Sequence, residues 1–257
     1  MENIHLPELR IIPYSINSSA INMAIDEYLL SMSTPVLRFY GWQEPTLSFG
    51  RLNPGIDEID LTYCKDQGLQ FVKRLSGGKT ILHQHEITYA FVADINQFPA
   101  SLLETYCLIS QPLAACMTSL GLKPEMRKTA ESKDKRQTTI CFKEVSAYEV
   151  TIDGRKMIGS AQFRRRKRFL QHGSILLDID WNLWKKVWKI PDQSFELETR
   201  ITSIRNELGY NPDKKHIIDL LTREFTRFFQ TIATNYNFSD NDLEEIRKLK
   251  EQYIWSI

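Results

Sequence analysis

The sequence has no long apolar segment. It contains no run of about 18 consecutive apolar residues, the length that a membrane-spanning helix requires. Its first residues, MENIHLPELRIIPYS, include acids and a proline where a secretory signal would have a basic start and an apolar block. We therefore expect a protein of the cytoplasm that has no membrane partner.

An excess of charge of either sign is also missing. The chain of 257 residues carries 33 basic and 32 acidic side chains, a formal net charge of +1. Nucleic-acid-binding proteins usually have a basic surface that skews this total, so nucleic acid is not an expected partner. With 42% apolar and 25% charged residues, the composition is typical of a globular protein of one or two domains.

Cysteine is scarce, and its spacing matches no common metal site. The four cysteines are Cys64, Cys107, Cys116 and Cys141. They form no C-x-x-C pair and no zinc-like pattern with histidine, and in a reducing compartment they stay thiols. His83 and His85 could share one face of a strand, but no third ligand is evident, so a structural or substrate-lining histidine is favoured over a metal site.

The hydrophobic pattern predicts an α+β fold with a mixed, mostly antiparallel sheet covered by helices. Helices are predicted over 18–32, 57–68 and 101–122, and strands over 35–43, within 69–94 and within 140–180. Asp153-Gly154 is a typical hairpin turn. We predict a catalytic domain over 1–180, followed by a helical extension over 181–257 that packs on it.

Two segments could carry chemistry. Arg74-Leu75-Ser76-Gly77-Gly78-Lys79 could bring backbone N–H groups close to an anion or a carbonyl, or it could be an ordinary hairpin with solvated basic residues. Cys141 could be a nucleophile if a cation such as Lys156 lowers the pKa of its thiol, or it could be a buried apolar thiol. The basic run 164–168 is either a solvated hairpin tip or a contact for an acidic partner.

Three segments resemble signatures of the lipoate–protein ligase A, octanoyltransferase and biotin ligase superfamily. They are RLSGGKTILHQHEITYA (74–90), DGRKMIGSAQ (153–162) and LQHGSILLD (170–178). The segments 22–30 and 45–51 are similar to the opening helix and following strand of that superfamily. The resemblance covers about residues 10–180 in the expected order, and it implies the biotin/lipoate ligase-like fold.

The position of Cys141 ahead of Lys156 resembles the cysteine-using octanoyltransferases of Firmicute-type lipoate synthesis. The resemblance implies that octanoyl-acyl carrier protein loads Cys141 as a thioester. The acyl group then passes to a lysine of a lipoyl carrier protein, for which the glycine cleavage H protein is the expected acceptor. Lys156 would lower the pKa of the thiol and polarise the acyl carbonyl. A related amidotransferase, an ATP-dependent lipoate ligase and a non-catalytic acyl-binding protein stay open as alternatives.

The resemblance also implies a set of substrate-binding residues around the acyl carbonyl and the acyl chain. They are Arg74, Ser76, Gly77, Gly78, Lys79, His83, Thr88, Tyr89, Gly159, Ser160, Ala161, His172 and Gly173. Lys79 stands where many ligases have a third glycine, which fits the cysteine-using transferases better. Neither a cofactor nor a metal is implied.

Overall fold

The computed structural model of the chain describes residues 4–52, 56–126, 148–189 and 196–255. The candidate nucleophile Cys141 lies outside these ranges. The helices are α1 Ser19–Leu29, α2 Leu61–Asp66, α3 Leu102–Ser119, α4 Trp181–Val187, α5 Ile204–Leu208, α6 Lys214–Phe228 and α7 Asp240–Lys250. The strands are β1 Glu8–Asn17, β2 Val36–Trp42, β3 Thr46–Phe49, β4 Gln70–Lys73, β5 Ile81–His83, β6 Glu86–Asp94, β7 Pro124–Met126, β8 Val150–Ile152, β9 Arg155–Arg165, β10 Arg168–Leu176 and β11 Ile232–Asn235.

These strands form two sheets. The large sheet has the order β11-β1-β2-β6-β10-β9-β8-β7, in which β1 runs parallel to both of its neighbours and all other pairs are antiparallel. The small sheet has the order β4-β3-β5. The predicted α+β class with a mixed, mostly antiparallel sheet is confirmed.

Local sequence signals set the boundaries of the main helices. Ser101 caps α3 by accepting a hydrogen bond from the backbone N–H of Glu104, at a distance of 3.3 Å. Gly121, with a φ of +88°, ends the same helix because glycine enters the left-handed region without steric cost. Helix α1 begins after Ser18, as its apolar spacing predicts.

The two predicted turns have different outcomes. Asp153 and Gly154 both have positive φ values, 48° and 74°, and they join β8 to β9 as the predicted hairpin. The Gly77-Gly78 segment is not a hairpin, because β4 and β5 both pair with β3 instead of with each other. The segment is therefore a loop that crosses over β3.

Each face of the large sheet has its own core. Helices α3 and α6 cover one face, where Phe39, Phe91 and Phe225 pack together. Helix α1 covers the other face around Tyr40 and Val92, and α7 packs against α1. A third cluster fills the space between the small sheet, α2 and α4.

The C-terminal residues contribute to the large sheet. The predicted helical extension over 181–257 also contains a strand: α6 ends at Phe228, and the chain then forms β11, which pairs in parallel with β1. The sequence pattern did not distinguish this strand from the helix before it, because its four residues are too few to show an alternation of apolar and polar side chains. None of the described helices is long and apolar enough to cross a membrane.

Gly50 tests the close packing of the crossover loop. A Cβ atom at Gly50 would lie 1.9 Å from the carbonyl oxygen of Gly78. We expect Gly50→Ala to lower the free energy of unfolding by about 1–3 kcal/mol, because the backbone must shift to relieve the overlap. Urea unfolding measures the loss. Gly77→Ala is the matched control, since a Cβ there meets nothing within 4 Å, and an equal loss in both variants would contradict this account.

Candidate active site

A cavity lies between the large sheet and the small sheet, beside α1. It encloses about 300 Å³ of empty space, part of which is open to solvent. Its walls are mainly apolar or aromatic, with a few polar groups, as is usual for small-molecule sites. The lining residues are Met23, Tyr40, Trp42, Ser48, Arg74, Ile81, His83, Thr88, Gly159, Ala161, His172, Gly173 and Ser174.

The structure gathers most of the predicted substrate-binding residues at this cavity. Seven of them line it: Arg74, His83, Thr88, Gly159, Ala161, His172 and Gly173. Ser76 contacts the wall residue His172, and Gly77, Gly78 and Lys79 continue the same loop. Strand alternation brings His172 and Ala161, which are register partners, to the cavity face.

Tyr89 and Ser160 lie on the opposite face of the large sheet. Strand neighbours alternate between faces, and Tyr89 belongs to the core beneath α3 and α6. The Tyr89 hydroxyl is 2.7 Å from the Ser160 Oγ and accepts a hydrogen bond from Gln171 at 3.1 Å. These two predicted binding residues therefore buttress the sheet behind the cavity.

A buried ion pair anchors one end of the cavity. Arg38 donates from Nη1 to the Asp26 carboxylate at 2.9 Å, and both side chains are almost fully buried. The same carboxylate accepts hydrogen bonds from the Tyr40 hydroxyl and from the Nδ1 of His172, each at 3.0 Å. Asp26 thus joins α1, β2 and β10 at a single point.

This network continues into the crossover loop. The Nε2 of His172 is 2.6 Å from the Oγ of Ser76, which also accepts a hydrogen bond from the Nε of Arg74 at 3.2 Å. Arg74 donates further to the carbonyl oxygens of Ser48, Gly77 and Lys79. The arginine therefore holds the shape of the Gly77-Gly78 loop through its carbonyl groups.

A second buried network surrounds His83. Its Nδ1 is 2.8 Å from the Oε1 of Glu86, which also accepts hydrogen bonds from Ser174 and Thr88. The Trp42 ring stacks on the imidazole, with 4.1 Å between the ring centroids. Burial raises the pKa of Glu86, but these hydrogen bonds and the positive charge that His83 has when it is protonated outweigh it, so the pKa lies below its ordinary value.

Lys156 lies buried at the start of β9. Its Nζ is 2.6 Å from the Oε1 of Glu149, and both side chains are at most 2% exposed. The backbone of Lys156 bonds with Arg200 and Thr202, which fixes its position from the C-terminal side. The predicted contact between Lys156 and Cys141 stays a prediction, since Cys141 lies outside the described residues.

The three described cysteines are poor candidates for a nucleophile. Cys64, Cys107 and Cys116 are all buried. Burial raises the pKa of Cys64 to about 11 and the pKa of Cys116 to about 12, so these two stay neutral thiols near pH 7. Among the described residues, no group of three or more His, Cys, Asp or Glu side chains could hold a metal ion.

Comparison with known proteins identifies the family. Residues 18–226 match the family model of the lipoyl protein ligase A/B catalytic domain. The chain belongs to this family. It is 37% identical to the octanoyltransferase LipM of Carboxydothermus hydrogenoformans, with 95% of this chain and 94% of the relative covered. It is 40% identical to the octanoyltransferase LipM of Symbiobacterium thermophilum, with 90% and 89% covered. The likeness to these octanoyltransferases identifies the chain as an acyltransferase, as predicted.

Solved structures of the family share the fold. A lipoate–protein ligase A bound with ATP superposes with a TM-score of 0.79 at 18% identity, covering 95% of each chain. A bipartite lipoate protein ligase from Thermoplasma acidophilum gives a TM-score of 0.77 at 18% identity, covering 96% of this chain and 93% of that one. The biotin/lipoate ligase-like fold expected from the resemblance is confirmed.

Sequence patterns did not identify Asp26 and Arg38, which form the buried ion pair beside the cavity. Asp26 lies on the buried side of α1, among mostly apolar residues, and Arg38 is the one charged residue in the fully buried strand VLRFYGW. Charged side chains at apolar positions are rarely buried unless they are paired. That pattern was the available signal, and it would have predicted an ion pair between α1 and β2.

Asp26→Asn tests whether the anchor carries stability. The change leaves the Arg38 charge buried without its counter-charge, so we expect a loss of about 3–5 kcal/mol in the free energy of unfolding. Urea unfolding again gives the measurement. Asp219→Asn, which removes an exposed partner of Lys215 on α6, is the matched control and should cause no measurable loss. Unchanged stability in Asp26→Asn would show that the buried pair does not anchor the cavity.

Proposed function

We propose that the chain carries out lipoate biosynthesis in the cytoplasm by a two-step acyl transfer. Octanoyl-acyl carrier protein loads Cys141 as a thioester, and a lysine of a lipoyl carrier protein, the glycine cleavage H protein, then takes the octanoyl group. The observation that carries this proposal is the likeness to octanoyltransferases over nearly the whole chain. The cavity between the two sheets supports it.

The cavity has the character that an acyl chain requires. Met23, Tyr40, Trp42 and Ile81 give it apolar walls, and each methylene group that they bury contributes about 0.8 kcal/mol. Gly159 and Ala161 leave space along β9, because neither has a bulky side chain. The polar groups of Arg74, Tyr40 and His172 in the wall already bond to buried protein partners, so they do not disfavour an apolar chain.

Cys141 is the proposed nucleophile. The other three cysteines are buried in structural cores, and Cys141 precedes Lys156 in the order of the cysteine-using branch. The positive charge of Lys156 would favour the thiolate and the developing negative charge on the acyl oxygen. The amine of the acceptor lysine replaces the Cys141 thiolate on the acyl carbon, which converts the thioester into an amide. This exchange is energetically downhill, so it needs no ATP.

We also propose that residues 1–180 form the catalytic domain and that residues 181–257 form an extension packed on it. The pairing of β11 with β1 and the packing of α6 against α3 support this division. The bridge between Lys156 and Ile201 supports a role for the extension in holding the proposed catalytic lysine.

Replacement of Cys141 tests the thioester directly. After incubation with octanoyl-acyl carrier protein, we expect intact-mass spectrometry to detect one octanoyl group on the wild type. Cys141→Ala should show no adduct and no transfer to the H protein, because no thiolate remains to accept the acyl group.

Cys116→Ala is the matched control and should keep both the adduct and the transfer, since Cys116 is buried in α3. Full transfer by Cys141→Ala would rule out the thioester mechanism. Transfer that requires free octanoate and ATP would instead identify a ligase, and transfer only from one lipoyl carrier protein to another would identify an amidotransferase.

The Lys156–Glu149 pair tests the role of the positive charge. Lys156→Met combined with Glu149→Gln removes both charges, so no lone charge is left buried. We expect this double variant to fold but to load octanoyl roughly 10²–10³-fold more slowly at pH 7. Its loading rate should rise with pH, because the thiol must ionise without a neighbouring cation. Wild-type loading at pH 7 by a folded double variant would contradict the proposed role of Lys156.

A further inference from the structure

Two histidine–carboxylate pairs face the same cavity, and they differ in one respect. His172 uses both ring nitrogens, because Nδ1 bonds to Asp26 and Nε2 bonds to Ser76. His83 uses Nδ1 for Glu86 and Ser174, and its Nε2 has no hydrogen-bond partner in the part of the chain that the structure describes. Of these two histidines in the described part of the chain, His83 is the one with a ring nitrogen available to a bound substrate.

The hydrogen bond to Glu86 sets which nitrogen of His83 can accept a proton. A carboxylate only accepts hydrogen bonds, so the Nδ1 that faces it carries the hydrogen in the neutral ring. The Nε2 then has a lone pair, and the Trp42 ring fixes the plane in which that lone pair points. This is the arrangement of a general base oriented by a buried acid.

The strand register places His83 on the side of the cavity nearer to Lys156. His83 contacts Ser174, which pairs with Gly159, three positions after Lys156 on β9. His172 pairs with Ala161, two positions farther along the strand. Since the proposed function places the acyl carbonyl beside Lys156, His83 is the nearer of the two histidines to the reacting bond.

Lys156 itself is poorly suited to accept a proton. Its Nζ is 2.6 Å from a Glu149 oxygen in a buried ion pair. An ammonium group in such a pair donates hydrogen bonds and supplies positive charge, and it has no lone pair for an incoming amine. The reaction still needs a proton acceptor, because an amine nitrogen that forms an amide bond must lose a proton.

We infer that His83 is the general base of the second half-reaction and accepts a proton from the acceptor lysine through Nε2. The inference rests on the proposed function. The lysine reaches the site as a neutral amine, having lost one proton to water. As its nitrogen bonds to the acyl carbon, a second proton passes to His83. The carbon–sulfur bond then breaks, and the imidazolium returns this proton to the departing Cys141 thiolate.

The surroundings of His83 fit this role. The buried carboxylate of Glu86 would stabilise the imidazolium while the proton resides on the ring. The other titratable or charged groups that line the cavity are Arg74, Tyr40 and His172, and each is held by a buried partner. Among the described residues that line the cavity, His83 is thus the group best placed to take up a proton.

Separation of the two half-reactions tests the inference. Wild type and His83→Gln are loaded from octanoyl-acyl carrier protein, and the isolated acyl-enzymes are mixed with the H protein or with hydroxylamine. We expect loading within a few-fold of wild type but a transfer to the lysine that is about 10²–10⁴-fold slower. Cleavage by hydroxylamine should proceed at the wild-type rate, because hydroxylamine is a far weaker base than lysine, so the nitrogen of its adduct releases its proton directly to water.

His85→Gln is the matched control, since His85 is exposed two positions away, and it should behave as wild type in every step. Wild-type transfer to the lysine by His83→Gln would overturn the inference. Equal slowing with lysine and with hydroxylamine would also overturn it, because His83 would then shape the cavity and not move a proton. A wild type that forms no acyl-enzyme would instead refute the proposed function.

Glu86→Gln keeps the inference testable if His83→Gln does not fold. It retains the side-chain volume but removes the charge that faces the His83 Nδ1. We expect a slower transfer to the lysine, smaller in effect than the loss of His83, with unchanged cleavage by hydroxylamine. Equal rates for Glu86→Gln and wild type with the lysine would count against the histidine–carboxylate pair.

Discussion

The ion pair between Asp26 and Arg38 is the constraint on which the cavity depends. It is buried, so each charge is stable only while the other is present. The remaining oxygen of Asp26 orients His172, and through Ser76 and Arg74 the same network reaches the crossover loop. One helix and both sheets are therefore held in register by a single connected set of hydrogen bonds.

Because of this network, the polar residues of the cavity have different roles. Arg74 and His172 were expected to contact the substrate, and both do line the cavity. Their polar atoms are nevertheless bonded to protein groups, which makes them fixed walls around a mainly apolar space. His83 differs because one of its nitrogens has no partner among the described residues, so the chemistry that we propose for the acceptor lysine falls to it.

Much of the fold followed from sequence patterns, for identifiable physical reasons. Helix α3 has a capping serine, a long apolar stripe and a terminal glycine, and the Asp153-Gly154 turn has the dihedral preferences of a hairpin. The crossing of the Gly77-Gly78 segment over β3 could not be predicted, because strand pairing depends on contacts between distant segments. The strand β11 was missed for the same reason, since its partner β1 is more than 200 residues away in sequence.

The candidate site was predicted in part. The glycine and histidine signatures identified the loop and the strands that line the cavity, whereas strand alternation placed Tyr89 and Ser160 on the far face of the sheet. The aromatic walls Tyr40 and Trp42 were missed, because apolar residues in a strand cannot be assigned to a core or to a pocket from their spacing alone.

The location of the acyl group decides whether the cavity between the two sheets is the active site. A crystal structure of the enzyme with a non-transferable octanoyl analogue attached to Cys141 would show it directly. We predict that the acyl chain lies between the two sheets, against Met23 and Trp42, with its carbonyl directed towards Lys156 and His83. An acyl chain on the opposite face of the large sheet beside Tyr89, with an empty cavity between the sheets, would contradict the account.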